Sequence, residues 1–359
     1  MLESTLTAAS RAGSALRIVL WIVPLAAVLG SPLAADGHDE ARIKVLIDAD
    51  PGVDDSMAIL FALSSPALEV VGITTVFGNT SIDNGTANAL TLVDLAGVTV
   101  PVARGAERPL VKEPREPPAF VHGADGLGEV GLQKPIGTVG AVVEQSGAQF
   151  IVDMARRYPG EITLVPVGPL TNIALALAIE PKLPQLVKGV VLMGGAARVE
   201  GNVSPVAEAN IYGDPHAADI VFSTPWPVTM VGLDVTTAVR MPDAVLERVA
   251  EATPKLGEFI FSMTRFYKAF YESRGVMGGF YVHDPSAVAY VIDPELFTTE
   301  AARVRVAVAG KAIGQTITTF GTPPEFWTAW HEAPEVEVCR EVDAEEMLEL
   351  YEATLSRSL

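Results

Sequence analysis

The stretch Ile43-Lys44-Val45-Leu46-Ile47-Asp48-Ala49-Asp50 limits the fold of this chain more than any other. It is a nearly continuous apolar run that ends in acids. A strand covered on one face alternates apolar with polar residues, whereas a strand covered on both faces does not, so this run reads as a buried parallel strand. Residues 54–63 (DDSMAILFAL) then read as a helix, and the order repeats. LEVVGITTVF (68–77) is a strand and IDNGTANALTLVDLA (82–96) a helix. Further strands are expected at 162–167, 189–194 and 227–233, and helices near 141–157, 170–178, 214–222 and 255–273. This alternation predicts an α/β fold with an open, mostly parallel central sheet and helices on both faces. Ligands of such sheets bind beyond the carboxyl ends of the strands, and the polar residues here follow the strands. Residues 302–320 read as a late hairpin with a Gly-containing turn, and 345–355 as a closing helix. The Pro- and Gly-rich residues 105–140 read as a lid or binding loop, because a loop of that length is otherwise uncommon in a compact domain.

Composition narrows the function. The 25 Lys+Arg against 44 Asp+Glu leave a net charge of −19, which repels a phosphate backbone, so no nucleic-acid partner is expected. The single cysteine, Cys339, rules out an internal disulfide framework and a cysteine-built zinc cage. Arg11 and Arg17 precede the apolar run Ile18–Leu29, which is short beside the about 20 residues of a membrane span. With small residues at Ala34 and Ala35, segment 1–35 reads as a signal peptide, and 36–359 as one domain. Export to the periplasm or the extracellular space follows. An uncleaved membrane anchor is the alternative.

Asp48, Asp50, Asp54 and Asp55 place four carboxylates in eight residues at a strand-to-helix turn. Helix capping accounts for one or two of them. The others repel unless a cation offsets them, and an all-oxygen donor set indicates a hard ion, Ca²⁺ or Mg²⁺. An EF-hand loop is excluded, because Ile59 stands where its bidentate glutamate belongs.

The octapeptide DADPGVDD (48–55) resembles the D-x-D-P-G-x-D-D signature of the calcium-dependent, inosine–uridine preferring nucleoside hydrolases. VFGN (76–79), VHGADGLG (121–128), LVPVGPLTNIALAL (164–177), MGGAARVEGNVSPVAEAN (193–210) and VHDPSAVAY (282–290) follow in family order. The resemblance covers essentially the whole chain after the leader and implies a Rossmann-like sheet. It implies that Asp50, Asp55, Asp284 and the Val167 carbonyl hold Ca²⁺, with Asp50 also the base for a calcium-bound water. It further implies that Asp54, Asn79, Asn210 and Asp284 hold the 2′ and 3′ hydroxyls of ribose, that Asn202 and Glu208 hold the 5′ hydroxyl, and that Asp48 supports the loop. The implied reaction is hydrolysis of a ribonucleoside to free base and D-ribose, in a homodimer or homotetramer. These residue types suit it. Breaking an N-glycosidic bond builds positive charge on the ribosyl ring, which carboxylates stabilise. A hard cation binds the diol and lowers the pKa of water.

The leaving base needs a proton, which a histidine supplies near neutral pH. His283 beside Asp284 is the expected donor. His122, Tyr267, Tyr271 and Arg274 are further base-side candidates, the two tyrosines lying one helical turn apart; core packing is the competing reading for both. Trp226, Trp327 and Trp330 lie outside the motifs, so a broad or pyrimidine-tolerant enzyme is expected. The chain departs from the family at Ala49 (usually Thr or Cys), Val167 (often Thr) and Ala209 (expected aromatic). Ala209 loosens one wall of the site. A haloacid-dehalogenase-like phosphatase also begins with D-x-D but does not fit Pro51–Asp55 or the later His-Asp-Pro. A nucleoside- or sugar-binding protein without turnover is the other rival.

Overall fold

The computed structural model describes residues 42–131 and 142–357. The expected leader, residues 132–140 of the loop and the first residue of the helix expected at 141 lie outside them. The strands are β1 (Ile43–Ala49), β2 (Leu68–Thr75), β3 (Val102–Arg104), β4 (Val142–Val143), β5 (Thr163–Pro166), β6 (Gly189–Met193), β7 (Val228–Val231), β8 (Arg240–Met241), β9 (Phe280–Tyr281), β10 (Phe297–Val306), β11 (Thr316–Phe320) and β12 (Glu335–Val342). Ten of them form one sheet, in the order β11-β10-β12-β7-β6-β5-β1-β2-β3-β4, and β8 pairs with β9 apart from it. From β12 to β4 every neighbour is parallel, while β10 runs antiparallel to both β11 and β12. The expected α/β class is therefore observed, with an antiparallel extension at one edge.

Successive residues of β1 feed opposite cores. Val45 and Ile47 pack with the helices Val53–Ser64, Pro254–Ser273 and Asp284–Ile292. Leu46 packs with Gly147–Arg157, Thr171–Ile179 and Pro215–Ser223. Burial on both faces is why β1 lacks polar alternation. The chain leaves β1 toward β2, β3 and β4, then returns to β5 on the other side. The crevice between β1 and β5 is thus a topological switch point, where α/β sheets bind ligands.

The helix expected near 141–157 begins instead at Gly147, because the Ser146 hydroxyl caps it by accepting from the Gln149 amide. The β-branched Val142 and Val143 before it pair with β3. The hairpin is present, with Ala302 opposite Phe320 and Val306 opposite Thr316. The 3-residue β3, the helix Asp243–Ala252 and β12 are additions to the sequence reading. Among the described residues no helix is long and apolar enough to cross a membrane.

Candidate active site

The site is built where β1 gives way to the helix Val53–Ser64. The Asp55 carboxylate turns back on its own loop, accepting the Asp50 amide on Oδ1 at 3.0 Å and the Gly52 amide on Oδ2 at 3.0 Å. The Asn79 side-chain amide also donates to Asp55 Oδ2, at 2.8 Å. Asp50 Oδ2 accepts the Asn79 backbone amide at 2.7 Å. A Cβ on Gly78 would land on that same oxygen, and one on Gly168 would come within 2.6 Å of Asp50 Oδ1. Only glycine admits the carboxylate at these two places.

Asp284 opens the helix Asp284–Ile292 from the far end of the sequence and meets this cluster. Asp54, Asp55 and Asp284 are buried, and each offers an oxygen within 4.8 Å of the other two. Burial raises the Asp50 and Asp284 carboxyls well above the usual range, with neighbouring carboxylates adding to it, and pushes Asp55 up to about 6. Asp50 Oδ1, Asp54 Oδ1 and Asp284 Oδ2 are buried without a hydrogen-bond partner. Buried carboxylate oxygens that face one another and lack donors call for a cation, and an all-oxygen set suits a hard divalent one. The donor chemistry therefore fits a metal. The compact carboxylate triad contains Asp54, whereas the resemblance implied Asp50. Asp50 stands at its edge, its Oδ2 turned toward Asn79.

The remaining expected residues divide into those at the cluster and those away from it. The Val167 carbonyl, just beyond β5, accepts the Asn210 side-chain amide at 2.8 Å. Asn210 is held by its own helix start, where Glu208 accepts the Gly195, Asn210 and Ile211 amides. Burial pushes the Glu208 carboxyl up despite these donors. Asp48 Oδ1 accepts from the Thr74 hydroxyl (2.6 Å) and the Asn172 amide (2.7 Å) beneath the cluster, and burial pushes this acid up to about 7. Asn202 and Arg274 lie on exposed surface turns.

A chain of side-chain hydrogen bonds leads away from the acids. The Tyr267 hydroxyl donates to Asp54 Oδ2 at 2.9 Å. The Tyr271 hydroxyl lies 3.4 Å from that of Tyr267 and 2.8 Å from His283 Nε2. His283 Nδ1 lies 2.8 Å from the Thr236 hydroxyl. The two tyrosines and His283 are all buried, and burial lowers the His283 pKa. These residues pack in the core and also reach the acids through hydrogen bonds. His122 is also buried, and its Nδ1 accepts the Val53 amide at 3.2 Å, which places the ring proton of the neutral form on Nε2. Sequence reading missed Thr236 and Asn172. Asn172 lies within GPLTN, where its polarity directly after an apolar strand was the available signal; Thr236 carried none.

A loop from Gly105 to Pro118 crosses the mouth of the site. It is pinned by the Ala106 amide on Asn172 Oδ1 (2.9 Å) and the Leu110 amide on Asp214 Oδ2 (2.8 Å). One cleft is lined by Asp50, Asn79 and Asn210 below and by Lys112 and Arg115 of this loop above.

Solved nucleoside hydrolases share this fold. A solved purine-preferring ribonucleoside hydrolase from Gardnerella vaginalis superposes with a TM-score of 0.81 at 37% identity, covering 87% of this chain and 98% of that one. Residues 45–349 match the family described as inosine-uridine preferring nucleoside hydrolase. Uridine nucleosidase 1 of Arabidopsis thaliana is 41% identical over 88% of this chain and 93% of its own length. The inosine-uridine preferring nucleoside hydrolase of Crithidia fasciculata is 43% identical over 78% and 89%. The chain belongs to the inosine-uridine preferring nucleoside hydrolase family and is an enzyme that hydrolyses ribonucleosides.

Proposed function

We propose that the metal is Ca²⁺ and that the enzyme cleaves purine and pyrimidine ribonucleosides to base and D-ribose. The observation that supports this best is the buried triad Asp54, Asp55 and Asp284 with Asp50 at its edge, where Asp50, Asp54 and Asp284 each keep one buried carboxylate oxygen without a hydrogen-bond partner. Asp50, Asp55, Asp284 and the Val167 carbonyl would hold the ion, with Asp54 close enough to join them. When bound, Ca²⁺ orients the ribose diol and the attacking water and lowers the pKa of that water. Asp50 removes the proton. Asn210 spends its amide hydrogens on the Val167 and Met193 carbonyls, which leaves Oδ1 to accept a ribose hydroxyl. Asp54 and Asn79 serve the same diol, and Glu208 the 5′ end. Asp48 braces the loop from below. His283 supplies the departing base with a proton through the Tyr271 hydroxyl, and the Tyr267 hydroxyl connects this pair to Asp54. His122, whose ring packs against Tyr267, serves the base side.

The leader directs export, a single catalytic domain follows it, and the working unit is a homodimer or homotetramer. The reading is tested on the mature protein with uridine, inosine and 2′-deoxyuridine, with and without chelator. Turnover should require Ca²⁺ and should fall by about 10² or more in Asp50→Asn. 2′-Deoxyuridine should be poorer than uridine by about 10⁴ in kcat/KM, because an absent hydroxyl leaves buried polar groups unpaired. Full activity in chelator, or equal kcat/KM for the two uridines, defeats it.

A further inference from the structure

The acidic turn and the segment that carries His122 meet on one side chain of the helix Ile82–Leu95. Asn88 is buried in that helix. Its side-chain nitrogen donates to the Pro51 carbonyl at 3.0 Å and to the Asp125 carbonyl at 2.9 Å. Both partners only accept, so the amide nitrogen must face them and both of its hydrogens are spent. Pro51 follows Asp50 in the turn that carries the acids, and Asp125 lies just beyond His122. One side chain therefore holds together two backbones that are far apart in the sequence.

The two backbones do not depend on it equally. The acidic turn has ties of its own. Asp55 accepts the Asp50 and Gly52 amides, the Asn79 amide donates to Asp55, and the Ser56 hydroxyl donates to the Gly52 carbonyl. The segment from His122 to Glu129 is largely folded on itself. Asp125 Oδ1 accepts the Leu127 and Glu129 amides, and the His122 carbonyl accepts the Gly128 amide. Outward, Asn84, one helical turn before Asn88 on the same face, donates to the Ala124 carbonyl at 3.1 Å on the exposed side. The Val53 amide donates to His122 Nδ1 at 3.2 Å. Asn88 makes the shortest of these three ties.

The approach it holds is close. A Cβ on Gly126 would lie 3.0 Å from the Asn88 amide nitrogen and 3.1 Å from the Pro51 carbonyl oxygen, and one on Gly52 would lie 2.6 Å from His122 Nδ1. Glycine at both places lets the segment close on the turn. His122 Nδ1 then stands 3.7 Å from Asp54 Oδ1, with its ring centre 5.4 Å from that of Tyr267. Release of Asn88 would let this ring drift while the acids kept their own ties.

We propose that Asn88 is a positioning residue for departure of the base: by clamping the Asp125 carbonyl to the acidic turn it sets where His122 stands relative to the carboxylates that hold the sugar. The proposal rests on the base-side role given to His122 under Proposed function.

Steady-state kinetics of the Ca²⁺-loaded full chain test it with inosine, uridine and p-nitrophenyl riboside, whose leaving group departs without a proton. Asn88→Leu keeps the volume and removes both donors, while Asn88→Ser keeps one. In Asn88→Leu, kcat/KM for inosine and uridine should fall by about 10 to 10², the scale of a small misplacement in an active site. Asn88→Ser should show the same pattern with a smaller loss, and it carries the test alone if Asn88→Leu does not fold. p-Nitrophenyl riboside should stay within about threefold of the wild type, because its departure does not call on the base side. In a His122→Ala background the positioned group is gone, so Asn88→Leu should cost less than about threefold more. Equal losses on all three substrates, or wild-type rates in both variants, overturn the proposal and leave the hydrolase reading intact. Losses that multiply with that of His122→Ala overturn the route through His122. If His122→Ala itself treats the three substrates alike, the base-side reading of His122 fails and takes the proposal with it.

Discussion

At the scale of the residue, His283 has no free ring nitrogen, since Thr236 and Tyr271 face its two sides. A histidine held this way delivers a proton only through a bonded neighbour that passes one on. Tyr271 is placed to do so, and Tyr267 connects onward to Asp54. Tyr271→Phe keeps the ring in the core and removes the link. The expected outcome is a fall of about 10² in kcat for uridine and inosine. p-Nitrophenyl riboside, whose leaving group needs no proton, should be cleaved at the wild-type rate. His283→Ala should show the same split with a larger loss. If steady-state rates fall equally on all three substrates, the pair positions sugar or metal instead. The acids of this site were legible in the sequence because they are adjacent in it. Thr236 was not, because a tertiary contact alone gives it meaning.

At the scale of the element, the ends of β1 and β2 and the root of the mouth loop meet on one side chain. Asn172 donates to Asp48 Oδ1 at 2.7 Å and to the Thr75 carbonyl at 2.9 Å, and accepts from the Ala106 amide at 2.9 Å. Asn172→Ala would leave these groups buried and unpaired. A loss of about 2–4 kcal/mol in chemical denaturation is expected, together with a higher KM as the loop loses its root. A loss under about 0.5 kcal/mol, the range of surface substitutions, would show that water replaces the amide. The sheet itself was legible in proportion to burial. β1, β2, β5, β6 and β7 are covered on both faces and read as apolar runs. β3 and β4 are too short to carry a pattern. β12 alternates glutamate with valine (EVEVCREV) over a half-exposed face, a weaker signal that was passed over.

At the scale of the whole molecule, the buried acids link stability to pH and metal. Asp55 and Asp48, with pKa values raised to about 6 and about 7, bind protons more tightly folded than unfolded. Their contribution in the metal-free protein is therefore fully present below about pH 4 and lost as pH rises through 6 and 7. Acid itself charges the rest of the chain, so the comparison is made with and without Ca²⁺ at each pH. The gain in Tm from Ca²⁺ at fixed free-ion excess should be larger at pH 8 than at pH 5. At a hundredfold excess over Kd the stabilisation free energy should reach roughly 2.7 kcal/mol. A gain that is flat or reversed with pH would separate the carboxylates from the ion. The place of β12 bears on assembly in time. Of the described strands it is the last made, yet it lies between β7 and the β10–β11 hairpin made before it. During synthesis the hairpin emerges with no strand to join, and β7 ends the sheet until β12 arrives. A ribosome that stops short of residue 335 therefore releases a chain with two unpaired strand edges, both open to strands of other such chains.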